Sequence, residues 1–235
     1  MQDQEMLTLF HHPMSAASRF IRLSFAEYGE ELQLIEEKPW ARRREFLQLN
    51  PAATLPVLLA EGDHPVAGAF VIAEFVDETR GALKRGKRLL AEDPYTRAEI
   101  RRLNDWFLVK LENEVTRHIV RERVFRPQMT AEEGGGSPDS RAIRTARGNI
   151  RQHMKYLNWL AGSRDWLAGP AISYADLAAA AAMSVLDYLG EVPWSEFPQA
   201  REWYTTLKSR PSFRPLLADR VRGLAPVSHY ADLDF

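Results

Sequence analysis

A chain of 235 residues, 45% of them hydrophobic, suits one large domain or two small ones, and its net charge of −1 excludes a global field favouring nucleic acid or an anionic membrane. The absence of cysteine excludes disulfides, thiolate metal sites, thiol redox chemistry and a cysteine nucleophile. The start "MQDQEMLTLF" is acidic ahead of its first apolar residues, unlike a signal peptide, and the longest apolar run, "LAAAAAMSVL" (177–186), is about half of what a bilayer requires. A cytoplasmic protein without membrane insertion is expected.

In chain order, "LTLFHH" (7–12) reads as a short strand stopped by Pro13. A helix follows through "SRFIRLSFAEYG", with Phe20, Leu23 and Phe25–Ala26 on one side and Gly29 as its stop. "LQLIEE" (32–37) alternates as a half-buried strand does, and "ARRREFLQLN" (41–50) is a short helix ended at Asn50–Pro51. "LPVLLA" (55–60) and "HPVAG" (64–68) form two strands about a Glu61–Gly62–Asp63 turn, before the helix "FVIAEFVDETR". This β-α-β-α-β-β-α order fits a four-stranded sheet covered by helices. From 94 onward only helices are expected: a long one over 94–125, a Gly-rich loop at 130–140, a second long helix over 141–162, then 173–190, 198–210 and 213–223.

Three stretches carry a family resemblance: "NPAATLPVL" (50–58), the strand-turn-helix "HPVAGAFVIAEFVDETR" (64–80), and "ISYADLAAA" (172–180). In the last, Ser173 caps the helix, Asp176 reaches back to the cap N–H, and Ile172 is the staple. In order and spacing these resemble the glutathione transferase superfamily. The resemblance implies an α/β thioredoxin-like N-terminal domain (6–82), a linker (83–93), an all-α C-terminal domain (94–223) and a tail (224–235), with Pro56 as the family's cis-proline. A narrower similarity, carried by "HHP…SR", "DWLAG", "DYLG-VPW", "KSRPSFRPLLADR" and "HYADLDF", is to the branch of that superfamily that binds FtsZ, the tubulin-like division protein. It implies a homodimer that bridges or curves FtsZ filaments.

A transferase of this family holds the glutathione sulfur as thiolate with a hydroxyl or thiol between the first strand and first helix. Aligned on Arg19, the cysteine position of omega-like members falls on Met14; Ser15 is adjacent, and is either the thiolate stabiliser or merely the cap of the helix that follows. Of His11 and His12, at most one faces the cleft, since neighbours on a strand point to opposite faces. The implied ligand cleft comprises His12, Ser15, Leu55, Pro56, Gly68 and Ala69. Members that bind glutathione carry an acid followed by Ser or Thr where this chain has Gly68 and Ala69, and no Ser, Thr, Asp or Glu occurs between Pro65 and Ile72. Losing two such charge-assisted contacts costs about 1.5–3 kcal/mol each, roughly ten- to a hundredfold in affinity per contact.

Steps of three and four place Arg141, Arg144, Arg147, Arg151 and Lys155 on one helical stripe, opposite the apolar Ile143, Ile150, Met154, Leu157 and Leu160, with no acid in the chain between Arg141 and Arg164. Arg117, Arg121, Arg123 and Arg126 end the preceding helix, which pairs antiparallel with this one through the Gly-rich loop. Trp40 beside Arg42, Arg43 and Arg44 adds an interface-type anchor, unless it packs on the sheet or across the dimer. The tail adds Asp232 and Asp234, which point to opposite sides if extended. An acidic protein partner suits the basic stripe better than nucleic acid does. The expectation is therefore a non-catalytic dimeric adaptor binding FtsZ at the division site, with no metal or cofactor. The alternative is a cytosolic glutathione S-transferase that conjugates glutathione to small electrophiles with Ser15 as thiolate stabiliser.

Overall fold

The computed structural model describes residues 6–84 and 86–233. Four strands, β1 (Thr8–His11), β2 (Gln33–Glu36), β3 (Val57–Ala60) and β4 (His64–Ala67), form one sheet in the order β2-β1-β3-β4. β1 runs parallel to β2 and antiparallel to β3, and β3 pairs antiparallel with β4. The register puts Leu9 opposite Leu58 and Phe10 opposite Val57. Because strand side chains alternate, the first pair faces the main core and the second faces a smaller cluster with Phe46. α1 (Ala16–Glu27) and α3 (Ala69–Thr79) cover the main face, and α2 (Arg44–Leu49) brings Phe46 to the other. Gly29, at φ +75°, closes α1 with the Glu30 N–H on the Phe25 carbonyl, a left-handed stop that suits glycine.

The segment expected as a linker is itself packed. Leu89 and Leu90 are buried, the Leu89 N–H donates to the Tyr28 hydroxyl, and the Tyr174 N–H donates to the Leu89 carbonyl. A continuous helix then runs over 94–125. It begins as α4 (Pro94–Asp105), capped by Asp93, and contains α5 (Arg117–Val120), but its turns over 106–110, 112–116 and 121–125 are π-helical. α6 (Ser140–Ser163) returns antiparallel to it, with Asn149 donating to the Glu114 carbonyl, Arg102 to the Tyr156 hydroxyl and Arg164 to Glu99. α7 (Tyr174–Tyr188) is buried along its whole length. Its small alanines let α1 and the long helix approach from either side, which places the two halves of the chain on one core. α8 (Pro198–Lys208) packs against α6.

The helix expected over 213–223 is shorter. Only α9 (Arg214–Leu217) forms regular helix. Asp219 is drawn to Arg22 of α1, and the Tyr188 hydroxyl accepts the Val221 N–H while donating to the Leu224 carbonyl. Those long-range bonds replace helical ones and close a Val221–Leu224 bridge. The tail folds back as a single 3-10 turn over Ser228–Ala231, with Tyr230 fully buried. Among the described residues no helix is long and apolar enough to cross a membrane.

Candidate functional site

A cavity of about 840 Å³ opens between the β1–α1 loop, the segments around Trp40 and Ala53–Leu55, and the long helix. Ser15 stands at its edge as the N-cap of α1, its Oγ accepting the Ser18 N–H at 3.1 Å. Met14 lines the floor with its sulfur toward Arg19. His12 is buried, and burial, reinforced by the neighbouring His11, pushes its pKa down to about 4. Its Nδ1 accepts the Met14 N–H at 3.1 Å, so the ring proton belongs on Nε2, 3.9 Å from Glu36. A neutral imidazole whose lone pair is already used has no capacity as a general base. Leu55 also lines the cavity, and the Leu55–Pro56 peptide is cis.

Pro56, Gly68 and Ala69 lie outside that lining. The Gly68 N–H is committed to the Pro56 carbonyl, and Gly68 caps α3 with no side chain to offer a ligand. The turn therefore keeps its backbone form without acid or hydroxyl. The opposite wall was missed by the sequence reading in part: Glu112, His118, Phe125 and Met129 join Arg117 and Arg121 around the cavity. Burial pushes the Glu112 carboxyl up to about 7, against the opposing pull of Arg117. Among the described residues the Glu112 carboxyl makes no hydrogen bond, while Arg117 turns to the Asn113 side-chain oxygen Oδ1 at 2.9 Å. The strict four-residue recurrence of Leu103, Phe107, Leu111, Val115 and Ile119 was the available signal. An ordinary helix drifts about 40° over four residues, so holding that row on one core face needs underwound turns.

Trp40 is not a free surface anchor. It is half-buried on the cavity wall, 4.7 Å from Phe125 and 6.0 Å from His12 between ring centres. Arg43 holds the buried Glu37 at 2.6 Å. The basic stripe of α6 is likewise interrupted, by acids from outside the helix. Arg147 pairs with Glu191, which Arg123 also reaches, and Arg151 pairs with Glu196. Arg144 and Lys155 remain exposed without an acid partner among the described residues, and Arg117 and Arg121 are exposed at the cavity mouth. Asp232 is exposed; Asp234 lies outside the described residues. Ser173 and Asp176 form the capping box, with Asp176 accepting the Ser173 N–H at 3.0 Å and also the Leu167 N–H and the Trp203 indole. Among the described residues no group of His, Asp or Glu side chains is placed to hold a metal.

The N-terminal domain of glutathione S-transferases matches residues 14–79, and their C-terminal domain matches residues 143–211. The chain belongs to the glutathione S-transferase superfamily. Within it, the chain is 43% identical to FtsZ-localized protein A of Caulobacter vibrioides, over 97% of this chain and 98% of that protein. The solved structure of FzlA from C. crescentus superposes with a TM-score of 0.89 at 42% identity, covering 98% of this chain and all of that one. The structure of a glutathione S-transferase from Sinorhizobium meliloti superposes at 0.97 with 66% identity over the same shares. The superfamily fold thus extends over nearly the whole chain, and its turn at 68–69 here lacks the side chains the superfamily resemblance implies for glutathione.

Proposed function

We propose that this chain is a non-catalytic, homodimeric adaptor of the glutathione transferase fold that binds FtsZ and regulates bacterial cell division from the cytoplasmic division site. The observation that carries this reading is the end-to-end similarity to a protein localised with FtsZ, at 43% identity. The bare Gly68–Ala69 turn and the neutral, already bonded His12 support it, since both remove parts that glutathione chemistry uses. The contact surface for an acidic partner is drawn from the exposed cations Arg144, Lys155, Arg117 and Arg121, the first two without an acid partner among the described residues, with Trp40, Arg43, Arg147, Arg151 and the tail aspartates flanking. Neither nucleic acid nor membrane insertion has a part in it.

Co-sedimentation with polymerised FtsZ tests the reading. The chain is expected to pellet with filaments, and Arg144→Glu with Lys155→Glu to reduce the pelleted fraction at unchanged thermal stability; sedimentation velocity is expected to give a dimer. A second reading rests on Ser15, whose hydroxyl lies at the cavity with its proton uncommitted among the described contacts, as a thiolate stabiliser would require. Failure to pellet, together with turnover of glutathione and an electrophile that Ser15→Ala abolishes, would replace the adaptor with the transferase.

A further inference from the structure

The long helix presents a row of charged and aromatic side chains to the cavity. Glu112, Arg117, Arg121 and Phe125 are spaced by five, four and four residues and all line it. In an unbroken α-helix a five-residue step turns a side chain well away from its predecessor; the i→i+5 turn over 112–116, in which the Arg117 N–H bonds the Glu112 carbonyl, brings the two onto one face. Turns of this kind are rare and are frequently found at functional sites. Although adjacent, Glu112 and Arg117 do not pair. Arg117 bonds Asn113, and Arg121 has only a 3.9 Å approach to Glu122, which is itself held by Arg126 and the Asp139 N–H. A carboxyl without a protein hydrogen bond thus sits one turn from one exposed guanidinium and two turns from another, with Trp40 and Phe125, 4.7 Å apart between ring centres, on the same lining.

We propose that this cleft binds a zwitterionic aromatic ligand, an aromatic α-amino acid or a small derivative that keeps both charges, with its ammonium on Glu112, its carboxylate on Arg117 and Arg121, and its ring against Trp40 and Phe125. The wall that reads the charged head is the long helix, not the turn at Gly68–Ala69. Each contact answers a group the protein leaves unmet: the half-buried carboxyl gains a cation, and the guanidiniums gain a planar anion suited to two-point hydrogen bonding. The volume of about 840 Å³ falls within the range of small-molecule sites and leaves room beyond the head group.

Protonation supplies a signature. Burial holds the Glu112 carboxyl near 7, so an ammonium that needs the carboxylate binds better as pH rises from 6 to 8. A ligand with a carboxylate alone gains nothing from ionised Glu112 and is repelled by it. The other titratable groups lining the cavity are His12, neutral over this range, Glu122, already ionised by its bonds to the Asp139 N–H and Arg126, and His118, which bonds the Asn113 carbonyl.

The test is calorimetric titration of the full chain with L-tryptophan, N-acetyl-L-tryptophan and tryptamine at pH 6 and pH 8. Tryptophan is expected to bind more tightly than either one-charge analogue at pH 8, and to gain severalfold between pH 6 and 8 while N-acetyltryptophan weakens. Glu112→Gln is expected to cost tryptophan about tenfold or more at pH 8 and to remove its pH dependence without weakening N-acetyltryptophan. Arg121→Ala is expected to weaken both carboxylates and spare tryptamine. His118→Gln should leave the pH dependence in place, which assigns it to Glu112. Circular dichroism melts of each variant establish that it folds. Equal affinity for all three probes, no binding at 10 mM, or a pH dependence that survives Glu112→Gln overturns the proposal. FtsZ co-sedimentation of the Arg144→Glu, Lys155→Glu variant without any probe, at residues off the cavity lining, reports on the adaptor reading separately.

Discussion

His12 shows how a single residue's environment decides what the cleft can do. Its position after β1 made it a candidate base; its burial and the Met14 N–H on Nδ1 make it a neutral structural acceptor instead. In the folded chain it titrates near 4, as the adjacent buried His11 does, against about 6.5 when unfolded. Between those values the unfolded chain binds a proton that the folded chain refuses. Each histidine therefore contributes stability that is complete above about pH 6.5 and is lost as the pH falls to about 4, at most about 3 kcal/mol apiece. The expected outcome is a His12 ring-proton titration with a midpoint near 4, and a shallower fall of unfolding free energy between pH 7 and 4.5 in His12→Gln. A midpoint near 6.5 would return His12 to the list of candidate bases. Nothing in "LTLFHHP" discloses this, since it depends on Arg22, Arg19 and the rings of Trp40 and Phe125, which arrive from elsewhere in the chain.

At the scale of elements, local signatures were legible and long-range ones were not. The order of strands and helices follows from periodicity, and the start of α7 from four residues: the Asp176 carboxylate accepts the Ser173 N–H and the Ser173 hydroxyl accepts the Ala175 N–H. Ser173→Ala should cost about 1 kcal/mol, toward 2 because the freed N–H groups are buried, read as a lower urea midpoint at unchanged slope. Loss within error would mean that Asp176 alone carries the cap. The π-helical turns of the long helix had a trace in the four-residue apolar row, yet Glu112 and Arg117 were separable from ordinary surface charge only once those turns were seen. The α6 stripe failed for the complementary reason. Its sign purity along the chain was real, but Glu191 and Glu196 reach two of its arginines from the segment that follows α7, and pairing across elements leaves no periodic trace. For α9, the Tyr188 hydroxyl competes successfully for backbone that propensity assigns to helix.

At the scale of the whole molecule, the two halves and the tail converge on one fully buried guanidinium. Arg19 of α1 donates from Nε to the Pro13 carbonyl and from Nη1 to Ser184 of α7 at 2.9 Å and to the Tyr230 hydroxyl at 2.8 Å, with Asp219 3.7 Å away. A buried charge is tolerated only when such bonds are met, so the tail is part of the core rather than an appendage. Tyr230 also donates to the Leu216 carbonyl, and thereby closes the path from α1 through α7 to α9. Tyr230→Phe keeps the ring's packing and removes the hydroxyl alone, leaving one guanidinium proton and one carbonyl underbonded. That should cost about 1–3 kcal/mol, a fall of roughly 3–10 °C in melting temperature for a chain of this size. Because the bonds cross both halves, the melt should remain a single transition at the lower temperature. An unchanged midpoint would mean that Ser184 and Asp219 suffice for Arg19; a second, earlier transition would mean that the tail docks independently of the body it closes.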